Sequence, residues 1–207
     1  LGLGVYAPSI RYHNKYFYIY WGDPDFGIYM VRTKDPRGKW EAPVMVKKGR
    51  GFIDPSPLWD EDGNVYLVHA LAGSRIRQSS LLIVNKLSKD GTSVIDGQGR
   101  VVYSGHGVNP TIEGPKLYKH GGWYWIFAPA GGVGNGWQLA MRSKDIYGPY
   151  DSRIVLASVA HSACGFLIDA RRSSNSCNSV EYSSFSIAEF VGSGVVISSV
   201  IIRYILY

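Results

Sequence analysis

"LYKHGGWYWIF", residues 117–127, reads as a short strand, a glycine turn and a strongly aromatic second strand. Two further stretches, "IRYHNKYFYIY" (10–20) and "LWDEDGNVYLV" (58–68), repeat its order of apolar residue, polar turn and aromatic strand. The three copies stand 48 and 59 residues apart. After the first and third come the strand-like "GIYMVR" and "QLAMRS", then the matching "TKDPRGKWEAP" (33–43) and "SKDIYGPYDSR" (143–153); the second copy has "SLLIVNKLSKDG" in that place. Short runs of Tyr, Trp, Val and Ile between Gly, Pro, Asn and Asp turns, with no helical period, predict an all-β chain. A repeat of about 50 residues built from such strands predicts propeller blades. A sandwich with chance internal similarity is the alternative.

The chain has 207 residues, 45% hydrophobic and 18% charged, enough for the core of one domain or one incomplete domain. Its net charge of +6 is spread among acids with no basic block longer than two residues, so no nucleic-acid partner is expected. Both cysteines, Cys164 and Cys177, lack further Cys or His at zinc-ligand spacing, and no metal site is expected. The opening "LGLGVYAPS" has no Met, basic region or apolar leader and reads as a cut.

The sequence divides near Ala157. Residues 1–157 hold all six Trp and all ten Pro and form the expected partial propeller. Residues 158–207 hold twelve Ser and both Cys and form an atypical tail. A divergent blade, a disordered or membrane-associating segment and out-of-frame translation all fit that tail, and the last is preferred. Its closing apolar run, Val195 to Tyr207, is shorter than the roughly 20 residues a spanning helix needs, so no membrane partner is expected.

Glu113 is the lone acid of residues 107–132. Counted from the first apolar residue of each copy, Glu113, Asp54 and Tyr6 share one place, which in a propeller would face the axis. Either acid alone reads first as a turn cap; their coincidence points to paired carboxylates. Aromatic platforms, carboxylates and an arginine at strand ends suit a sugar, with its apolar ring faces and hydroxyls. Tyr6, Trp21, Asp23, His69, Arg75 and Trp137 are the candidates, with Asp25 nearby. His69 reads equally as a satisfied strand-end histidine. Trp40, Trp59, Trp123 and Trp125 are expected between blades, and "GGVGNGWQ" (131–138) as a hairpin loop over the mouth.

The segments "YAPSIRYHNKYFYIYWGDPDFGIYM", "GFIDPSPLWDEDGNVYLVHALAGSR" and "TIEGPKLYKHGGWYWIFAPAGGVGNGWQ" resemble glycoside hydrolase family 43, the β-xylosidases and α-L-arabinofuranosidases, over about residues 5–157. The resemblance implies a five-bladed β-propeller, three blades of it recognisable here, and an inverting mechanism with three carboxylates. The Asp of its "DPS" motif maps to Asp54, which orients the acid and tunes its pKa, and the Glu of its "EGP" motif to Glu113, the general acid. The family's general base lies upstream of "APS", in a blade this chain does not show. Its last blade, with an "HQG"-like segment and a substrate-contacting Arg, is not recognisable either. The resemblance implies no required cofactor, a structural calcium or sodium on the axis of a complete member, and xylan, arabinoxylan or arabinan oligosaccharides as partners. It leaves extracellular and cytoplasmic locations both open, and a non-catalytic carbohydrate-binding propeller as the second functional class.

Overall fold

The computed structural model describes residues 5–157; the expectations for residues 158–207 lie outside them. Twelve strands form three antiparallel four-stranded sheets, each a simple meander. The first blade comprises β1 (Tyr6–His13), β2 (Tyr16–Asp23), β3 (Gly27–Thr33) and β4 (Val44–Lys48). The second comprises β5 (Phe52–Trp59), β6 (Val65–Leu71), the one-turn α1 (Gly73–Ile76), β7 (Leu81–Leu87) and β8 (Arg100–Ser104). The third comprises β9 (Lys116–His120), β10 (Trp123–Ala130), β11 (Trp137–Ser143) and β12 (Asp151–Ala157). The repeat seen in sequence is the first hairpin of each blade, and "GGVGNGWQ" carries the β10–β11 turn.

Turn chemistry sets the register. Asn14-Lys15 and Gly121-Gly122 both take positive φ (46° and 65°; 58° and 71°), the two-residue hairpin turn whose twist matches the strands. They pair His13 with Tyr16 and His120 with Trp123. The second blade uses a five-residue turn, "DEDGN", and pairs Trp59 with Val65.

Alternation explains the packing. Tyr18, Tyr20, Ile28 and Met30 of the first blade bury against Val65, Leu67 and Leu87 of the second. The opposite face of β6, Tyr66, Val68 and Ala70, buries against Leu117, Ile126 and Ala128 of the third. All seven residues of β6 are therefore buried, because both faces of that strand are covered. Trp59 lies between the first two blades, its ring 4.6 Å from Tyr18 and stacked at 4.9 Å on His13. Trp123 and Trp125 sit on the β10 face turned away from the second blade, under the guanidinium of Arg142.

Candidate active site

The strands β1, β5 and β9 open their blades with one local device. In β1 the ladder skips between Tyr6↔Gly22 and Ser9↔Tyr20, and in β5 between Ile53↔Ala70 and Ser56↔Val68. Each bulge carries one residue of positive φ followed by proline: Ala7 (32°) and Asp54 (56°). In the third blade Gly114 (62°) precedes Pro115, Lys116 pairs with Phe127, and the Glu113 N–H donates to the Pro129 carbonyl at 3.1 Å. Structural equivalence is thus Tyr6, Ile53 and Glu113 at one place; Ala7, Asp54 and Gly114 at the next; Ser9, Ser56 and Lys116 two beyond.

This corrects the sequence alignment by one residue in the second blade. Asp54 and Glu113 are not at one repeated place; they occupy successive places in adjacent blades. The five-residue turn of the second blade takes up the slip, and the identical "xPS" order of "YAPS" and "IDPS" records it.

The two residues nonetheless interact across the blades. The Gly114 N–H, next to Glu113, donates to Asp54 Oδ2 at 2.7 Å. Asp54 is 5% exposed and fixed in a left-handed conformation that Asp tolerates better than most residues. Glu113 keeps an exposed surface. Protein crowding around its carboxyl raises its pKa, and the Asp54 charge raises it further.

Below this pair the inner strands are tied together by polar groups that sequence reasoning missed. Ser9 Oγ donates to the Pro55 carbonyl. Ser56 Oγ accepts the Leu117 N–H at 3.1 Å and an Arg11 N–H at 2.9 Å. Arg11 also lies over the Tyr118 ring, 4.8 Å from its centroid. Lys116 Nζ donates to Ser9 Oγ at 3.3 Å, and burial lowers its pKa to about 8.

Of the remaining candidates, Tyr6, Arg75, Asp25 and Asp23 stand together, and Trp21, Trp137 and His69 each have other partners. Arg75 and Arg50 converge on Asp25: Arg75 Nε donates to both Asp25 oxygens at 3.2 Å, Arg50 adds a third bond at 3.2 Å, and the Tyr6 hydroxyl interacts with Arg75. Asp23, 8% exposed, closes the turn beside them by accepting the Asp25 N–H at 3.0 Å. Trp21 stacks on Tyr29 at 5.7 Å, and Trp137 donates from its indole to Asn109 Oδ1 at 2.8 Å.

His69 is placed differently from the expectation that it contacts substrate. It is 0% exposed and packs edge-on against Phe52, between the first and second blades. Lys47 Nζ supplies hydrogen bonds to His69 Nε2 (3.2 Å), Asn85 Oδ1 (2.6 Å) and the Gln98 carbonyl (3.2 Å). His69 Nδ1 then donates to the Ala70 carbonyl at 3.1 Å, which fixes the neutral tautomer. Burial and the Lys47 charge push its pKa down to about 3. The physical reason is strand parity: odd-numbered residues of β6 face the first blade, and a ring sealed there does not reach a sugar. Among the described residues, no group of three or more His, Cys, Asp or Glu is arranged to hold a metal.

Comparison with known proteins identifies the family. The sequence profile of glycosyl hydrolases family 43 matches residues 2–163. A protein of Xylanibacter ruminicola, provisionally named a beta-xylosidase, is 44% identical over 153 residues, covering 74% of this chain and 28% of its own. A non-reducing end alpha-L-arabinofuranosidase of Bacteroides ovatus is 35% identical over 166 residues, covering 78% of this chain and 29% of its own. The crystal structure of a family 43 glycoside hydrolase retrieved from a capybara gut metagenome superposes with a TM-score of 0.63 at 31% identity, covering 73% of this chain and 30% of that one. The chain thus spans less than a third of the length of these relatives.

Proposed function

The chain belongs to glycosyl hydrolase family 43, and from that premise we propose that its protein is a glycosidase acting on xylo- or arabino-oligosaccharides. In this reading Glu113 is the general acid and protonates the leaving glycosidic oxygen. Asp54 orients Glu113 through the adjacent Gly114 amide and, by its charge, keeps the acid protonated closer to neutral pH. The observation that carries the reading is the Asp54 Oδ2 to Gly114 N–H bond, which ties Asp54 to the segment that carries Glu113. A turn-capping aspartate would need no second acid in the neighbouring blade.

Inversion requires a second carboxylate on the far side of the sugar, roughly 6.5 to 9.5 Å from the acid, with room for the attacking water. None of residues 5–157 is assigned that role. Tyr6, at the place equivalent to Glu113, and Arg75 beside it are assigned to the sugar's hydroxyls at the rim. Trp21 and Trp137 are assigned to its apolar faces.

The test is hydrolysis of aryl β-D-xyloside and aryl α-L-arabinofuranoside by the chain and by Glu113→Gln, with proton NMR of the first sugar anomer released. Turnover that Glu113→Gln abolishes, with inversion, supports the reading. Turnover that survives Glu113→Gln refutes the assignment of the acid. Release of the retained anomer refutes inversion. Saccharide affinity that survives Glu113→Gln in a folded chain without turnover favours a carbohydrate-binding propeller instead.

A further inference from the structure

The places equivalent to Lys116 in the other two blades hold Ser9 and Ser56, and both serines make the same kind of contact. Each uses its Oγ to join one inner strand to the next: Ser9 to the Pro55 carbonyl, Ser56 to the Leu117 N–H. A small hydroxyl therefore meets the structural need of this position. A lysine there costs burial of an ammonium, which is expensive unless something nearby requires the charge.

Lys116 Nζ reaches back to Ser9 Oγ, the hydroxyl that donates to the carbonyl of Pro55, the neighbour of Asp54. The contacts close a loop. Asp54 binds the Gly114 amide, Gly114 leads along the chain to Lys116, Lys116 binds Ser9, and Ser9 binds the residue after Asp54. We propose that Lys116 is a positioning residue whose ammonium, anchored on Ser9, is the counter-charge that keeps Asp54 ionised and bonded to the amide beside Glu113. The inference rests on the assignment of Glu113 and Asp54 made above.

The charges acting on Lys116 are Asp54 from β5 and Arg11 from β1; Glu113 lies three residues away on its own segment. Burial is the largest influence and lowers its pKa to about 8; Asp54 works against that and Arg11 with it. Lys116 is thus still an ammonium at neutral pH. An ionised Asp54 in turn raises the pKa of Glu113. The charge of Lys116 reaches the acid through Asp54, with no contact to substrate required. A uniformly structural lysine would stabilise the fold without any effect on the titration of Asp54.

The test is carbon-13 NMR titration of the Asp54 carboxyl in the full chain, in Lys116→Met and in Lys116→Arg. Losing a near opposite charge raises a carboxyl midpoint by about one pH unit or more. Lys116→Met is expected to raise the Asp54 midpoint by about that amount, a roughly tenfold change in its acidity, and Lys116→Arg to restore it. Should Lys116→Met not fold, the unmodified chain carries its own control. As Lys116 loses its proton near pH 8, the Asp54 resonance must show a second step there. An unmoved Asp54 midpoint in Lys116→Met, or no second step in the unmodified chain, overturns the proposal. This readout does not need turnover. Coupled titration beside turnover that survives Glu113→Gln would sink the assignment of the acid and leave the charge role of Lys116 standing. Turnover lost with Glu113→Gln but no coupling would do the reverse.

Discussion

His69→Gln separates a blade-interface histidine from a substrate-binding one. His69 is sealed at 0% exposure and held neutral, with its pKa pushed down to about 3. In the unfolded chain it titrates near the ordinary value of about 6.5. Between those values the unfolded state binds the extra proton, so stability rises with pH; it is complete above about 6.5 and is lost as pH falls. The loss is about 1.4 kcal/mol per pH unit, or about 2 kcal/mol between pH 6.5 and pH 5. Glutamine keeps an acceptor for Lys47 and a donor for the Ala70 carbonyl but has no proton to gain. Urea unfolding followed by tryptophan fluorescence at pH 7 and pH 5 measures the difference. The unmodified chain should lose about 2 kcal/mol more than His69→Gln over that interval, while the other histidines cancel in the comparison. Equal losses would mean that His69 is open to water, and the placement of this ring between the blades would be wrong.

Lys47 gives the matching test on the alkaline side. Burial lowers its pKa to about 8, so the unfolded chain holds more protons above that value and stability rises with pH. Lys47→Met should flatten the rise seen by urea unfolding between pH 8 and pH 9.5, and an unchanged slope would contradict the buried ammonium. Leu117→Ala removes a fully buried side chain from the contact between the second and third blades. It should cost about 2 to 5 kcal/mol by denaturant midpoint, and a loss under about 1 kcal/mol would mean that the two blades do not pack as described. Asp54→Asn keeps an acceptor for the Gly114 amide and a side chain that accepts positive φ, so the fold should hold. The Glu113 titration measured by carbon-13 NMR should move down toward the ordinary carboxyl value, and an unmoved titration would refute the coupling of the pair.

The blades were legible because their signals are local. Two-residue turns at Asn14-Lys15 and Gly121-Gly122 fix the hairpins they join, and aromatic strands follow each at once. The pairing of Asp54 with Glu113 was legible as motif and misread as register. "DEDGN" is three residues longer than the other two turns, and a gapless alignment spreads that difference into the strand. His69 was illegible for another reason. "VYLVHAL" is buried on both faces, so its apolar residues do not alternate and nothing local says which way the histidine turns. Lys116 and Arg11 went unassigned because a lysine or arginine in a short strand ordinarily faces water. Only the convergence of β1, β5 and β9 brings Lys116 to Ser9 and Arg11 to Ser56 and the Tyr118 ring.

The central claim is that Glu113 donates the proton to the leaving group. Its most direct test is hydrolysis by Glu113→Gln of two aryl glycosides of one sugar, one with a phenyl leaving group and one with dinitrophenyl. A leaving group that departs unassisted does not need the acid, whereas phenol does. The account predicts that Glu113→Gln loses a factor of about 10² to 10⁴ on the phenyl glycoside and far less on the dinitrophenyl one. Equal losses on both substrates would contradict it.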